Sequence, residues 1–113
     1  MKRKPVVTAA LLFINLYIPL SLFSQDFEMN GTVLARYRGN AADVTIPEGV
    51  TAIGDKAFWD CNSLTSVTIP SSVSSIGEYA FADCDNLREV TVSRRTTIGP
   101  DAFPSAARIT YSD

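Results

Sequence analysis

Val67–Leu87, VTIPSSVSSIGEYAFADCDNL, repeats a stretch already passed. Moved back 23 positions it falls on Val44–Leu64, VTIPEGVTAIGDKAFWDCNSL. The two segments share Val-Thr-Ile-Pro, a Val, Ile-Gly, Ala-Phe, Asp-Cys and Leu at equal offsets. A shortened third copy follows as Val90-Thr91-Val92, then Ile98-Gly99, then Ala102-Phe103. Self-similarity at a fixed period of this size is the signature of a solenoid, in which each coil buries its apolar side only by stacking on the next.

Within each copy the chemistry is positional. Val44 and Ile46, Val67 and Ile69, and Val90 and Val92 alternate with Thr45, Thr68 and Thr91. That alternation predicts a short strand with the aliphatic side chains inward. Pro47 and Pro70 end the strand, since proline cannot donate to a ladder. Ile53 and Ile76 predict a second, shorter strand. Gly54, Gly77 and Gly99 then open what the pattern reads as a short helical turn, with Asp55 and Glu78 near its exposed N–H groups. Ala-Phe turns a ring inward, and Cys61, Leu64, Cys84 and Leu87 close the circuits. The third copy lacks one residue between Val92 and Phe103 and three more after Phe103. Arg108–Tyr111 supplies a last strand with Ile109 and Tyr111 expected inward, leaving an edge to be covered or paired.

Ahead of the repeats, Asn30-Gly31 between apolar-polar alternations predicts a hairpin, strands at about 27–29 and 32–38. Strict alternation would put Val33, Ala35 and Tyr37 on one face and Leu34, Arg36 and Arg38 on the other. Asn30-Gly31-Thr32 also spells a glycosylation sequon, but the turn already explains it. The hairpin is expected to cap the open end of the first coil. Further upstream, Lys2, Arg3 and Lys4 precede a nearly unbroken apolar run from Val6 to Phe23. That layout reads as a secretory signal peptide over residues 1–24, a retained membrane anchor being the alternative. The expected organisation is 1–24 signal peptide and 25–113 repeat domain. The domain divides into a hairpin at 27–39 and repeats at about 44–66, 67–89 and 90–111.

The whole chain of 113 residues carries 10 basic and 12 acidic residues and no histidine. Without Lys2, Arg3 and Lys4, seven basic residues face 12 acidic ones, a net charge of about −5. That balance argues against a nucleic-acid partner. The missing histidine removes the most usual general base and metal ligand. No nucleophile-base pairing or phosphate loop is organised by any motif, so neither enzyme chemistry nor a cofactor is expected.

These repeats resemble the BspA-like (treponemal-type) leucine-rich repeat, carried by Val-Thr-Ile-Pro, Val, Ile-Gly, Ala-Phe, Cys and Leu at a 23-residue period. Asn30-Gly31-Thr32-Val33-Leu34 with Tyr37 and Gly39 resembles the segment that often precedes the first repeat. The match covers about Phe27 to Tyr111. It implies a leucine-rich-repeat solenoid: stacked short parallel β-strands with short helical turns, preceded by an N-terminal β-hairpin cap. It also implies an exported or surface-exposed protein, since family members are associated with adhesion to host matrix proteins and with bacterial co-aggregation.

Candidate protein-binding residues follow from the coil geometry. Thr45, Thr68, Thr91 and Thr110 should form a hydroxyl row on the concave strand face, with Asp43, Ser66, Glu89 and Arg108 in a row beside it. Threonine is also simply a good exposed strand former, and Glu89 and Arg108 could do no more than pair across strands. Trp59 stands at an outward position where the next copy has Ala82, as a binding hot spot or as packing over the hairpin or Tyr79. Cys61 and Cys84 share an offset in adjacent coils. Burial as small apolar side chains is favoured over a bridge, which needs particular Cβ directions. Arg94-Arg95 is read as a solvated loop. The expected partner is a protein of the host matrix or of the cell envelope. Self-association through the C-terminal edge strand is the alternative.

Overall fold

The computed structural model describes residues 26–113, so the proposed signal peptide lies outside the described residues. The strands are β1 (Phe27–Asn30), β2 (Val33–Tyr37), β3 (Asp43–Thr45), β4 (Ala52–Ile53), β5 (Ser66–Thr68), β6 (Ser75–Ile76), β7 (Glu89–Val92), β8 (Thr97–Ile98) and β9 (Arg108–Tyr111). They form two sheets. One is the parallel ladder β3-β5-β7-β9; the other runs β1-β2-β4-β6-β8, parallel except for the β1–β2 hairpin. Each coil gives one strand to each sheet, so the chain winds as a β-solenoid.

The register follows the repeat. Val44 lies opposite Val67, and Val67 opposite Val90. Val90 then pairs with Ile109, 19 residues on, because the last coil lacks four residues. The inward residues stack into columns: Val44, Val67 and Val90, then Ile46, Ile69 and Val92, then Leu64 and Leu87, all buried. The rings make a continuous pile. Centroids are 5.3 Å apart for Phe27 and Tyr37, 4.9 Å for Tyr37 and Phe58, 4.5 Å for Phe58 and Phe81, and 4.9 Å for Phe81 and Phe103. Tyr37 of the hairpin thus takes the place a repeat phenylalanine would hold.

The hairpin forms, with a changed inside and outside. Glu28 pairs with Arg36 and Met29 with Leu34, so Ala35 is an extra residue in β2. This β-bulge shifts the alternation by one. Leu34 and Tyr37 are consequently both buried, whereas strict alternation had put them on opposite faces. The two-residue loop is Gly31-Thr32, with Asn30 still paired to Val33 in the ladder. Only Gly31 needs positive φ there, at 63°.

The helical turns expected after Gly54, Gly77 and Gly99 are not helices. The backbone instead alternates between two kinds of bond. Ala57 and Trp59 N–H donate to the Gly54 and Lys56 carbonyls in tight turns, while Lys56, Phe58 and Asp60 N–H donate to Glu78, Ala80 and Ala82 of the next coil. Donors that a helix would use internally tie coil to coil. The turns also need left-handed residues: Lys56, Tyr79 and Asp101 form one such column, Asp60 and Asp83 another, with φ between 54° and 63°. Asp tolerates that conformation better than most residues, which explains the repeated Asp before Cys61 and Cys84. Asp55 and Glu78 do not cap a helix either. Asp55 Oδ1 accepts the Glu78 N–H at 2.8 Å, one coil on. Gly77 is glycine for closeness: a Cβ there would lie 2.6 Å from the Asp55 nitrogen.

The last coil is more polar than its predecessors. Thr96 replaces Val50 and Val73 in the buried column and donates its hydroxyl to the Val73 carbonyl at 2.7 Å. Tyr111, expected inward, is 43% exposed. Among the described residues β9 is the end strand of its sheet, and at that end Ile98 is also exposed and Phe103 half-buried.

Candidate functional site

The exposed face of β3-β5-β7-β9 carries the two expected rows. Thr45, Thr68, Thr91 and Thr110 are successive register partners, as are Asp43, Ser66, Glu89 and Arg108. The inward valines fix this: with Val44, Val67 and Val90 in the core, pleating turns their neighbours outward. Thr45, Thr68 and Thr110 are exposed and Thr91 is half-buried. None of the four hydroxyls makes a hydrogen bond among the described residues, and strand spacing of about 4.8 Å separates successive ones. In the second row Ser66 Oγ donates to Asp43 Oδ1 at 2.7 Å. Glu89 and Arg108 do not form an ion pair; among the described residues the ion pair present is Arg38–Glu28, at 2.8 Å on the hairpin. The face therefore offers free hydroxyls beside separate negative and positive groups.

Trp59 lies away from that face, on the turn that precedes Cys61. Its ring is 44% exposed, and its indole N–H donates to Asp83 Oδ2 of the next coil at 3.0 Å. The ring is thus held by Asp83, neither the hairpin nor Tyr79 being its hydrogen-bond partner. It borders an open cleft of about 340 Å³, lined also by Arg36, Asn40, Asp60, Cys61 and Asn62. The structure does not bring Trp59 together with the threonine row.

Both cysteines are free thiols, Cys84 buried and Cys61 half-buried. The Cys84 thiol donates to the Phe58 carbonyl at 2.9 Å, and the Cys61 thiol points at the Trp59 carbonyl at 4.0 Å. The neighbouring Cys84 holds the Cys61 thiol below its ordinary pKa, against the effect of burial and with help from Arg36. The neighbouring Cys61, with burial, pushes the Cys84 thiol well up.

Arg94 is more than a solvated loop residue. Its guanidinium sits 4.7 Å over the Tyr111 ring, and its Nε–H donates to the Asp113 carbonyl at 3.0 Å. The Asp113 carboxylate accepts the Arg94 backbone N–H at 2.9 Å and the buried Ser93 hydroxyl at 2.9 Å. Those two bonds, the Arg94 N–H first, hold the Asp113 pKa below its usual value. Ser93 stands where Pro47 and Pro70 stand in the earlier copies, and that substitution was the available signal for this clamp.

A family model described as BspA type leucine rich repeat region (6 copies) matches residues 36–112. Among solved structures, a leucine rich cell surface protein from Faecalibacterium prausnitzii A2-165 is 32% identical, with a TM-score of 0.60. The match covers 75% of this chain and 27% of that one, so the chain spans about a quarter of that protein's length. The T. pallidum leucine rich repeat protein is 25% identical over 79% of this chain and 63% of that one, TM-score 0.53. A leucine-rich repeat protein from Bacteroides capillosus ATCC 29799 shares the fold at 23% identity, covering 78% of this chain and 99% of that one, TM-score 0.53. A search of curated proteins finds no match. Two sheets of stacked strands, an aromatic pile and a family match over most of the described residues agree: this chain belongs to the BspA-type leucine-rich repeat family.

Proposed function

We propose that the chain is an exported, non-enzymatic protein-interaction module of the cell surface, which binds a protein ligand through the exposed face of β3-β5-β7-β9. The observation that carries this reading is the in-register row Thr45, Thr68, Thr91 and Thr110, whose hydroxyls have no partner among the described residues. Unsatisfied donors and acceptors at strand spacing suit an extended protein surface, and solenoids use such faces for binding. Leucine-rich repeat proteins are in general protein-interaction modules, and the Faecalibacterium relative is a cell surface protein. Export is supported by the basic head and apolar run of residues 2–23. A ligand in the host matrix, and hence adhesion, is the specific form proposed. A cell-envelope protein is its nearest competitor.

Solid-phase binding of the purified protein to host matrix proteins tests it, with the Thr68→Lys/Thr91→Lys variant alongside. The expected result is saturable binding that the variant loses while keeping its circular dichroism. Binding unchanged in the variant would remove the strand face from the proposal. Intact mass of the exported chain bears on the leader: a mass for 25–113 supports cleavage after Ser24.

A second reading rests on a separate observation. Among the described residues β9 has no strand on its outer edge, and Tyr111 and Ile98 are exposed at that end. Self-association or docking through this edge predicts a concentration-dependent dimer that Thr110→Pro abolishes. A monomer in light scattering at every accessible concentration would dismiss self-association.

A further inference from the structure

We infer that Cys61 and Cys84 are an oxidisable dithiol, a modification site that closes to a disulfide between neighbouring coils by exchange with the disulfide of another molecule. The two residues occupy one offset of the repeat, 23 residues apart. Inter-coil bonds flank them on both sides: Asp60 N–H to the Ala82 carbonyl at 2.9 Å, and Asn86 Nδ2 to the Asn62 carbonyl at 2.6 Å. Those bonds hold the two turns at coil spacing. Stacked chains roughly 4.8 Å apart fall inside the Cα separation of about 4.4–6.8 Å that a disulfide accepts. In the reduced chain each thiol rests against a backbone carbonyl, the Cys61 Sγ 4.0 Å from that of Trp59 and the Cys84 Sγ 2.9 Å from that of Phe58. Core filling alone accounts for two small buried side chains. It does not account for their unequal settings.

Cys61 is half-buried and lines the cleft beside Trp59 and Arg36, where an outside disulfide can reach it. Cys84 is 0% exposed, so an outside disulfide reaches Cys61 first. One thiol is placed to attack and the other to resolve. The Cys61 thiolate attacks one sulfur of the incoming disulfide, forming a mixed disulfide and releasing the first thiolate. Cys84 then loses its proton and attacks the Cys61 sulfur, releasing the second thiolate. Two electrons pass to the incoming disulfide, which leaves as two thiols once it takes up the two protons lost by the cysteines. The third copy has Pro104-Ser105 in place of Asp-Cys, so the bridge would join only the first two full coils, next to the hairpin cap.

The test incubates the folded full-length protein with oxidised glutathione, quenches with acid, alkylates under denaturing conditions and weighs the product. The expected result is loss of both alkylatable thiols, no retained glutathione, unchanged circular dichroism and a higher unfolding midpoint. Cys84→Ala should trap a glutathione adduct on Cys61. Cys61→Ala should leave Cys84 unmodified while the chain stays folded. The inference is overturned if both wild-type thiols remain alkylatable in excess oxidant, or if a glutathione adduct persists on the wild type. It also fails if the disulfide joins two chains, or forms only after denaturation.

Discussion

Removing one ring from the middle of the aromatic pile is the sharpest test of how the coils are held together. Phe81 is fully enclosed, with Phe58 at 4.5 Å on one side and Phe103 at 4.9 Å on the other. Phe81→Ala should cost about 3–5 kcal/mol, the cavity included. Of this, each lost ring pair accounts for about 0.5–1.5 kcal/mol beyond area. Phe103→Ala deletes the same atoms from a half-buried site with one ring neighbour, so about 1–2 kcal/mol is expected. Domains of this size are stable by only about 5–15 kcal/mol, so Phe81→Ala should remove roughly a fifth or more of the total. Phe81→Leu separates volume from stacking. It keeps most of the bulk, loses both ring contacts and should fall at about 1–3 kcal/mol. Urea unfolding followed by circular dichroism, with the slope compared across variants, gives all three values. If Phe81→Ala costs no more than Phe103→Ala, stacking through the centre of the column is not what secures the coils.

Other perturbations read separate parts of the fold. Gly77→Ala drives a Cβ to 2.6 Å from the Asp55 backbone nitrogen, and should lower stability by about 1–3 kcal/mol in the same urea assay. Lys56→Gly goes the other way, because Lys56 sits at φ 60°; relief of left-handed strain should add about 1 kcal/mol of stability and raise the urea midpoint accordingly. Asp113 has a depressed pKa in the fold. Its contribution is therefore complete above the unfolded value near 3.9, roughly, and is lost as pH falls through the lower folded value. Acid titration of stability should accordingly steepen below about pH 4, and Asp113→Asn should remove that component.

The columns were legible because the repeat fixes them. Given the 23-residue period, Val44 over Val67 over Val90 and Thr45 beside Thr68 beside Thr91 follow without further information. What escaped was whatever a single coil does not determine. The bulge at Ala35 arises where the hairpin must present both Leu34 and Tyr37 to the first coil, and alternation in one strand cannot show that. The absence of helix after Gly54 and Gly77 is decided by carbonyls one coil away, which compete for the same N–H groups. The Asp60 and Asp83 column did carry a signal, since a repeated Asp in a tight turn points to left-handed backbone. The Ser93–Asp113 clamp had only the loss of a proline to announce it. For the candidate face, register was readable and the environment was not: that Glu89 and Arg108 stay apart depends on rotamers.

The two ends of the column are treated differently, and this bears on which surface is available for partners. At the hairpin end β1 pairs with β2 and the Phe27 and Tyr37 rings begin the pile, so the chain itself covers the aromatic column there while Met29 stays exposed. At the other end the exposed edges are β8 and β9, only two and four residues long, and short edges recruit partners poorly. Arg94 spreads over Tyr111 while Asp113 folds back to Ser93, so two charged side chains lie at the apolar end. A strand arriving at β9 would have to work beside that clamp. The face of β3-β5-β7-β9 presents no such obstacle: its four threonine hydroxyls are unpaired among the described residues, and β5 and β7 are paired on both sides. A ligand can therefore use that face without rearranging the coil. Docking at the end of the column competes with contacts the chain already makes. That asymmetry is the physical reason to prefer the strand face over the edge.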